Sequence, residues 1–320
     1  MLDSLHIQNY RLFKDLKIDK LGQVNLIAGK NNTGKTALLE AIILGYEYSP
    51  VAFSFILASR NEFDINGYTS LNLLFQNDDT TNPIKIQFDS IKGIRNSIIV
   101  YKDEANIRED SFYINFIPAD KNDKPVLIKP ISHSVSPYFS NVIYVPFYQL
   151  DKIISNLWSN ISLTTREDEL VELLQIIEPK ILKIRIEDSK AKVLLKGSSE
   201  PIPLKRLGDG INRLLFIGLA LINAKDKSLL IDEFEVGLHF RVQKQLWDII
   251  FEYSKKWNIQ IFVTTHSKDT IYAFYEIAQK EKYKNMGAYI KLNKVKDDII
   301  ALNIDFEDIG EAIISNSEIR

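Results

Sequence analysis

The sequence predicts an α/β protein with a central, mostly parallel sheet and an inserted lobe that is β-rich and partly helical. An apolar run, Val24–Ala28, leads into a glycine-framed loop and then into a helix-length apolar segment. Two later apolar runs also end in polar residues, and short β-like runs between about 50 and 140 interrupt the alternation. Strands that alternate with helices are typical of a parallel sheet. We therefore expect one domain built from residues 1–49 and 141–320, with the lobe inserted at about 50–140.

The composition limits the functions that this chain can have. Its 320 residues are 45% hydrophobic and include no cysteine, which excludes disulfides and thiolate metal or nucleophile sites. No apolar run approaches the ~20 residues of a membrane span, and the N-terminus lacks a secretory signal pattern, so we expect a cytoplasmic protein with no membrane partner. The formal net charge of −2 gives no general attraction for nucleic acid, although a local basic groove would leave DNA binding open.

Two strands are predicted ahead of the Val24 strand, because Leu5–Ile7 and Leu16–Ile18 alternate apolar and polar residues. Arg11 lies in the connection between them. As a surface charge, it needs no special explanation.

The loop Gly29–Thr36 matches G-x-x-x-x-G-K-[ST] and has the strand before it and the helix after it that this motif requires. Its glycines let successive backbone N–H groups point at phosphate oxygens, and the start of the helix favours negative charge. Lys35 is expected to reach the β- and γ-phosphates, and the Thr36 hydroxyl suits Mg²⁺, a hard cation. The sequence thus predicts a nucleoside triphosphate site. The residues predicted to contact the nucleotide here are Gly29, Asn31, Asn32, Thr33, Gly34, Lys35, Thr36 and Ala37.

The inserted lobe and the segment after it supply further predicted elements. One or two helices are expected within Phe53–Phe75, and the chain is expected to return to the central sheet at Val142–Val145. The β-like runs of the lobe are Ile84–Phe88, Ser97–Tyr101, Phe112–Phe116 and Val126–Ile128. Beyond the lobe we predict helices at Leu150–Trp158 and Glu167–Ile177, and strands at Ile181–Ile186 and Ala191–Leu195.

A glycine turn, Gly208–Gly210, opens a strongly apolar segment that we interpret as a buried helix. Asp209 suits the N-terminal cap of that helix, since its side chain accepts hydrogen bonds from the first N–H groups. An ordinary capped turn explains this pattern on its own. Its position after a phosphate loop and before an acidic pair favours a functional role.

Two later strands are predicted to end in chemically useful side chains. The apolar run Ser228–Ile231 is followed by Asp232 and Glu233, and the run Asn258–Thr265 by His266. We expect Asp232 to hold Mg²⁺ through water and Glu233 to orient or deprotonate the attacking water. His266 is expected at the carboxyl end of a strand, where ligands bind in open α/β sheets, so it would sense or position the γ-phosphate.

These motifs, in this order, resemble the ABC-type ATPase head of the SMC/RecF superfamily, a P-loop NTPase fold. Small GTPases and hexameric AAA+ motors lack this arrangement. The details are more similar to the OLD (overcoming lysogenisation defect) family and its AAA-labelled bacterial relatives. The resemblance covers both ends of the chain but little between Pro50 and Leu204. It lies in Asn9–Arg11, Gly29–Thr36, Leu207–Gly210, Leu230–His239 and Thr264–Ser267.

The resemblance implies an ATPase that uses ATP and Mg²⁺. By this resemblance, Lys35 and Thr36 bind phosphates and Mg²⁺. Asp232 holds the metal ion, Glu233 is the general base, and His266 is the switch histidine.

The resemblance also implies a homodimer or a higher homo-oligomer. Glu235–His239 would be the loop that contacts the second copy. Gly208, Asp209 and Gly210 would contact the nucleotide bound to the opposite protomer, and Arg11 would contact a phosphate or the adenine.

The sequence departs from the family pattern in three places. Gly208 stands where an ABC signature usually carries a serine, so any γ-phosphate contact in trans must come from backbone N–H groups and the helix start. The glutamine loop has two candidates, Gln76 and Gln149. Only residues 267–320 follow His266, so we expect no fused Toprim nuclease, which several OLD-family proteins carry.

That last segment suffices for a helix, a strand pair at Ala288–Leu292 and Asp298–Asn303, and a final helix. Asp297 and Asp298 are better interpreted as part of the turn between the strands than as a metal cluster.

Three functional hypotheses follow from the sequence. The first is a Mg²⁺-dependent ATPase that closes as a homodimer on ATP and controls a separate effector protein, nuclease-like and acting in antiviral defence. The second is a RecF-like DNA-repair or DNA-clamping ATPase. The third is a non-hydrolysing nucleotide sensor or scaffold, against which the intact Glu233 argues. A transporter's nucleotide-binding domain is less favoured, because no membrane span is present and the insertion is large.

Overall fold

The structure is a computed structural model that describes residues 1–62, 70–102, 112–117, 126–128, 139–146 and 151–314. Its strands are β1 (Leu2–Tyr10), β2 (Phe13–Ile18), β3 (Val24–Gly29), β4 (Ile84–Ser90), β5 (Arg95–Lys102), β6 (Phe112–Ile117), β7 (Val126–Ile128), β8 (Val142–Val145), β9 (Ile181–Glu187), β10 (Lys190–Leu195), β11 (Ile202–Pro203), β12 (Ser228–Ile231), β13 (Gln260–Thr265), β14 (Gly287–Val295) and β15 (Asp298–Ile304). Its helices are α1 (Lys35–Glu47), α2 (Pro50–Ser59), α3 (Asp151–Ser159), α4 (Arg166–Leu174), α5 (Asp209–Asn223), α6 (Phe240–Lys256), α7 (Lys268–Ala278) and α8 (Phe306–Ile314).

A six-stranded sheet with the order β15-β14-β3-β13-β12-β8 forms the centre of the molecule. Neighbouring strands are parallel except for β15, which runs antiparallel to β14. The strand β3 is buried along its whole length between β13 and β14, which is typical of the inner strands of a parallel sheet. The predicted α/β class with a central, mostly parallel sheet is confirmed.

A second six-stranded sheet is antiparallel and has the order β2-β1-β4-β5-β6-β7. The four β-like runs predicted in the lobe are its strands β4 to β7. The strand β4 pairs with β1 and places Ile86 opposite Ile7. The strands predicted ahead of the phosphate loop therefore belong to this sheet and not to the central one. The division of the chain into residues 1–49 and 141–320, with a lobe inserted at about 50–140, stays a prediction.

Both faces of the central sheet are covered, and each face has its own hydrophobic core. In β3, Leu26 and Ala28 lie in a core that contains residues of α3 to α7, whereas Ile27 lies in a core with α1, α2 and the second sheet. Successive residues of a strand point to opposite faces, so a strand covered on both sides buries every side chain and is mostly apolar. The one polar side chain of β3, that of Asn25, donates hydrogen bonds to the carbonyl oxygens of Gly22 and Ile261. The helix α1 consequently lies between the two sheets.

The strands β9 and β10, which the sequence predicted, form a small sheet of their own with β11. One face of this sheet buries Ile184, Ile186 and Val193 in the same hydrophobic core as α4, and β9 contacts that helix. The chain runs from this sheet through a 3₁₀ turn, Leu204–Leu207, to Gly208, and α5 begins at the next residue.

The other predicted elements are present in the described part of the chain. The helices α3 and α4 follow β8, and β14 and β15 form the predicted strand pair, with Asp297 in the turn and Asp298 as the first residue of β15. Within the described ranges, no helix combines the length and the apolar character needed to cross a bilayer.

The strands β3, β13 and β12 are parallel neighbours, so their carboxyl ends meet at one edge of the central sheet. The phosphate loop leaves β3 at this edge. Asp232 and Glu233 follow β12, and His266 follows β13. The fold therefore gathers three candidate groups that are far apart in the sequence.

Candidate functional site

The phosphate loop turns sharply at Gly34, the residue before α1. Its φ of 84° lies in the left-handed region, and a Cβ atom there would come within 2.7 Å of the Phe13 ring, so only glycine fits. The ammonium group of Lys35 is buried and donates hydrogen bonds to the carbonyl oxygens of Gly29 (2.9 Å) and Lys30 (3.0 Å). Burial lowers the pKa of this lysine, and nearby carboxylates oppose that shift. The positive charge thus lies inside the loop that the motif assigns to phosphates.

Two side chains with oxygen atoms suited to a metal ion meet at the end of this loop. The Thr36 hydroxyl, at the start of α1, donates a hydrogen bond to Asp232 Oδ2 at 2.9 Å, and Thr264 of β13 donates to Asp232 Oδ1 at 2.5 Å. Asp232 is completely buried. A hydroxyl and a carboxylate oxygen are the hard ligands that Mg²⁺ accepts, with phosphate oxygens and waters in its other positions. The donor chemistry therefore fits Mg²⁺, which Thr36 and Asp232 would hold.

Glu233 lies next to this pair with its backbone in the left-handed region, at a φ of 48°. Its N–H donates to Thr264 Oγ1 at 2.8 Å, and the N–H of Phe234 donates to the carbonyl oxygen of Thr264 at 3.1 Å. Burial raises the pKa of the Glu233 carboxyl, and the charge of Asp232 raises it further. A carboxylate with a raised pKa is a stronger proton acceptor, which suits a general base.

His266 is linked to the acidic segment through Glu235. The backbone N–H of His266 donates to Glu235 Oε1 at 2.8 Å, and its Nδ1 lies 3.0 Å from the same oxygen. The Thr265 hydroxyl donates to Glu235 Oε2 at 2.8 Å. The sequence predicted Glu235 only as part of the dimer-contacting loop. In the structure its carboxylate also fixes the position of the histidine.

A pocket of about 460 Å³ lies over the phosphate loop. This volume is in the usual range for small-ligand sites. On one side it is lined by Asn31, Asn32, Gly34, Lys35, Thr36, Ala37 and Glu233, and on the other by Arg11, Leu12, Arg60, Leu73, Phe75, Asn77 and Asp78. Among the predicted site residues, the described lining does not include Gly29, Thr33, Asp232, His266, the candidate Gln76 or the glycine turn Gly208–Gly210. Gln149 lies outside the described residues.

Arg11 belongs to a buried cluster of charges beside the pocket. Its Nε lies 2.8 Å from Glu40 of α1, and its other nitrogens donate to Glu62 at 2.8 and 3.0 Å. Arg60 lies 2.6 Å from the second oxygen of Glu40. The sequence pointed to Arg11 but missed Glu40 and Arg60. A glutamate within an otherwise apolar helix was the available signal for Glu40, since such a charge needs a partner.

The glycine turn corrects one expectation. The cap of α5 is Gly208, not Asp209, and no side chain caps the helix. Gly208 has φ 102° and ψ 170°, a conformation that residues with a side chain rarely adopt, and Asp209 is already the first helical residue. Gly210 packs so closely on the loop after β12 that a Cβ atom would come within 2.5 Å of the Gly237 carbonyl oxygen. The glycine turn is thus fixed against the predicted dimer-contacting loop.

A second buried arginine, Arg213, was not predicted as a site residue. It lies one turn into α5 and donates to the carbonyl oxygens of Pro146 (2.8 Å), Asp232 (2.5 Å) and Glu233 (3.2 Å). Its position within an apolar helical run was a signal that it has internal partners. The sequence alone gave no indication of which partners these are.

Comparison with known sequences agrees with this geometry. Residues 24–271 match a protein-family model described as "AAA domain, putative AbiEii toxin, Type IV TA system". A protein of Helicobacter pylori (strain ATCC 700392 / 26695) named ATP/GTP phosphatase is 26% identical over 338 residues, covering 88% of this chain and 90% of the relative.

Solved structures with a similar fold include SMC heads. The SMC head domain from Thermotoga maritima superposes with a TM-score of 0.53 at 15% identity, covering 95% of this chain and 99% of that one. An SMC head bound to the C-winged helix domain of ScpA gives a TM-score of 0.59 at 14% identity, with coverages of 97% and 99%. At such identities the likeness shows the fold alone, and that fold is the ABC-type head that the motifs predicted.

We expect Lys35→Ala to weaken ATP binding at least about 30-fold, because it removes a charge-assisted contact to the phosphates. Titration calorimetry with Mg²⁺-ATP measures the dissociation constant, and circular dichroism checks that the fold survives. Lys14→Ala, at an exposed position of β2, is the matched control and should bind ATP like the unmodified chain. An unchanged dissociation constant for Lys35→Ala would show that the loop is not the nucleotide site.

Proposed function

The chain belongs to the AAA-domain family and is a P-loop ATPase with an ABC-type head fold, and from this premise we propose a specific cycle for it. The protein is a Mg²⁺-dependent ATPase that closes as a homodimer when ATP binds, and the cycle controls a separate effector protein. The observation that carries the hydrolytic part is the arrangement of Thr36, Asp232 and Glu233 at one edge of the sheet. The name of the Helicobacter pylori relative supports nucleoside triphosphate hydrolysis.

The residues of the phosphate loop bind and orient the triphosphate. The N-terminus of α1 and the Lys35 ammonium attract the phosphate oxygens, and on binding Lys35 exchanges its carbonyl partners for them. Mg²⁺, held by Thr36 and Asp232, would neutralise charge on the β- and γ-phosphates.

Glu233 accepts a proton from the attacking water as that water approaches the γ-phosphate. Its raised pKa and its place on the pocket wall support this role. His266, kept in place by Glu235, contacts the γ-phosphate from the end of β13.

The dimer part of the proposal is supported by the glycine turn. Gly208 and Asp209 are exposed and lie outside the pocket of their own chain, so a second copy can receive their backbone donors. The positive end of α5 at Asp209 would stabilise the negative charge of a γ-phosphate bound to that second copy. The adjacent loop and helix start expose two apolar side chains, Val236 (38%) and Phe240 (53%), which suit a contact between copies.

The effector part is supported by the comparisons. The description of the family names a toxin of a toxin–antitoxin system, and one of the similar SMC heads is bound to a domain of another protein. We propose that the partner here is nuclease-like and acts in antiviral defence.

A RecF-like DNA-clamping function is the second candidate, and one feature favours it. The segment 180–206 contains eight basic and three acidic residues, although the net charge of the whole chain is −2. Lys183, Arg185 and Lys192 are exposed and line a groove of about 630 Å³ on the small sheet. Two acidic residues, Glu167 and Glu187, also line this groove, and Glu187 lies 2.7 Å from Arg185. Such a basic face can bind the phosphates of a nucleic acid backbone.

The acid limb of the pH profile should report Glu233. This group must be ionised to accept a proton, and its pKa in the free enzyme is raised by burial and by Asp232, so kcat/KM should fall with decreasing pH already above the value of about 4.3 for an ordinary glutamate. Steady-state phosphate release measures the profile. Melting temperatures over the same pH range exclude unfolding as the cause. Glu233→Gln should lose roughly 10²–10⁴-fold in kcat and also lose the limb, and a limb that persists in this variant would assign it to another group.

Glu233→Gln should also trap the closed dimer, because it keeps the shape of the side chain and removes the base. Light scattering with Mg²⁺-ATP should show about twice the mass of the 36.8 kDa chain. Adding Asp209→Arg should restore the monomer without weakening nucleotide binding, since a bulky cation blocks the approach of the partner. Glu281→Arg, a charge reversal at an exposed residue far along the chain, is the control. This dimer would be excluded if the mass of Glu233→Gln did not change with ATP, or if the double variant with Asp209→Arg still formed the dimer.

The DNA-clamping candidate has a separate test. Fluorescence anisotropy with a labelled duplex should show binding that weakens with salt. Changing Lys183, Arg185 and Lys192 to Gln should reduce the slope of log K against log salt by about 3, roughly one unit for each lost phosphate contact. The triple change of Lys244, Lys255 and Lys256 to Gln on α6 serves as the control. If the two triple variants bind DNA equally, the small sheet is not a DNA-binding surface.

A further inference from the structure

The two peptide groups on either side of Glu233 are held at both of their ends. The peptide before it has its carbonyl oxygen, that of Asp232, bound by Arg213 at 2.5 Å, and its N–H bound by Thr264 Oγ1 at 2.8 Å. The peptide after it has its carbonyl oxygen bound by Arg213 at 3.2 Å, and its N–H, that of Phe234, bound by the Thr264 carbonyl at 3.1 Å. Arg213 therefore donates to the carbonyl ends of these two peptide planes, and Thr264 accepts from their N–H ends.

These two planes determine the backbone angles of Glu233, and those angles are unusual. A φ of 48° is a strained conformation for a residue with a side chain and needs support from its surroundings. The direction of the Cα–Cβ bond follows from the two planes. Holding the planes thus aims the carboxylate into the pocket that Glu233 lines.

Arg213 is suited to this task by burial and by charge. Its side chain is 4% exposed, and its third partner is the carbonyl oxygen of Pro146, directly after β8. Burial lowers the pKa of the guanidinium to about 10, a shift that the charge of Asp232 opposes, so the group remains charged at neutral pH. One planar guanidinium can serve three carbonyl oxygens at once, whereas an ammonium group on a flexible stem is a point charge without this fixed geometry.

We propose that Arg213 is a positioning residue for ATP hydrolysis, which with Thr264 fixes the backbone of Glu233 and thereby the direction of its carboxylate. The inference rests on the proposed role of Glu233 as general base. It also gives α5 a link to the hydrolytic centre, since Arg213 lies one turn after the glycine turn. A displacement of the start of α5 would therefore move Arg213 and change the orientation of Glu233 in the same chain.

The alternative is that Arg213 only stabilises the fold by satisfying buried carbonyl groups. The two roles predict different kinetics. A residue that only stabilises the fold changes the fraction of folded enzyme, and its loss leaves kcat per folded molecule and KM alone. A positioning residue changes kcat while leaving KM in place, because phosphate binding at Lys35 does not involve it.

The test compares Arg213→Met and Arg213→Lys in the full chain. We expect kcat for ATP to fall about 100-fold in Arg213→Met, the scale of loss for a misplaced group, with KM within about 3-fold of the original. Arg213→Lys should recover part of the loss, because it keeps the charge but reaches fewer carbonyls. Gln260→Leu is the stability control, since Gln260 is also buried and bonds to the backbone of Leu2 and Gly22 at the opposite end of the strands. It should lower the melting temperature and leave kcat unchanged.

A second comparison places Arg213→Met in the Glu233→Gln background. If Arg213 acts through the Glu233 carboxylate, the double variant should have the same residual kcat as Glu233→Gln alone. An equal loss in both backgrounds, or a parallel loss of kcat and nucleotide affinity, would overturn the proposal. If Glu233→Gln alone leaves kcat unchanged, it is the role of Glu233 as base that fails.

Should Arg213→Met fail to fold, Thr264→Val and Thr264→Ser test the opposite side of the same peptide planes. The serine keeps the hydroxyl that accepts from the Glu233 N–H and should retain kcat. The valine should lose kcat and keep its affinity for Mg²⁺-ATP. A parallel loss of affinity would assign the effect to Asp232, to which the same hydroxyl donates, and would contradict the proposal. Equal kcat in the two threonine variants would contradict the proposed support of Glu233.

Discussion

The buried carboxylate of Asp232 is the interaction on which the rest of the site depends. An ionised carboxylate removed from water is stable only if hydrogen bonds replace its hydration, and here two threonine hydroxyls provide them. Thr36 is the last residue of the phosphate loop and lies at the start of α1, whereas Thr264 belongs to β13. Satisfying one charge therefore ties α1, β12 and β13 together at one edge of the sheet, and it places two hard oxygen atoms where a metal ion would be held.

The two hydrophobic cores keep this edge in place. The helix α1 packs between the central sheet and the antiparallel sheet, so the start of the helix cannot move without disturbing both. The charged cluster adds a polar link between the same parts. Glu40 on α1 is paired with Arg11 from the β1–β2 turn and with Arg60 after α2, and leaving one of these charges buried without its partner would cost several kcal/mol. The wall of the pocket opposite the phosphate loop is thus anchored to α1.

The ends of parallel strands create a second requirement. Where β8 and β12 stop, the carbonyl groups of the residues that follow them, Pro146, Asp232 and Glu233, lie beyond the paired strands and need other donors. Arg213 supplies these from α5, the helix that begins at the glycine turn. The same contacts that satisfy the strand ends also support the unusual backbone of Glu233, so the stability of the sheet edge and the geometry of the hydrolytic centre depend on one side chain.

The sequence by itself determined the phosphate loop, the acidic pair after β12, the histidine after β13 and the class of fold. These are short-range features: a glycine that permits a left-handed turn, an apolar run that must be buried, and a polar residue where that run ends. The tertiary structure decided which distant segments meet. It placed β1 and β2 in the sheet of the lobe, made Gly208 rather than Asp209 the cap of α5, and gave Arg11 and Arg213 their partners. Local periodicity carries no information about such pairs, because a buried arginine or glutamate needs an opposite charge or a carbonyl group but does not specify where in the chain it comes from.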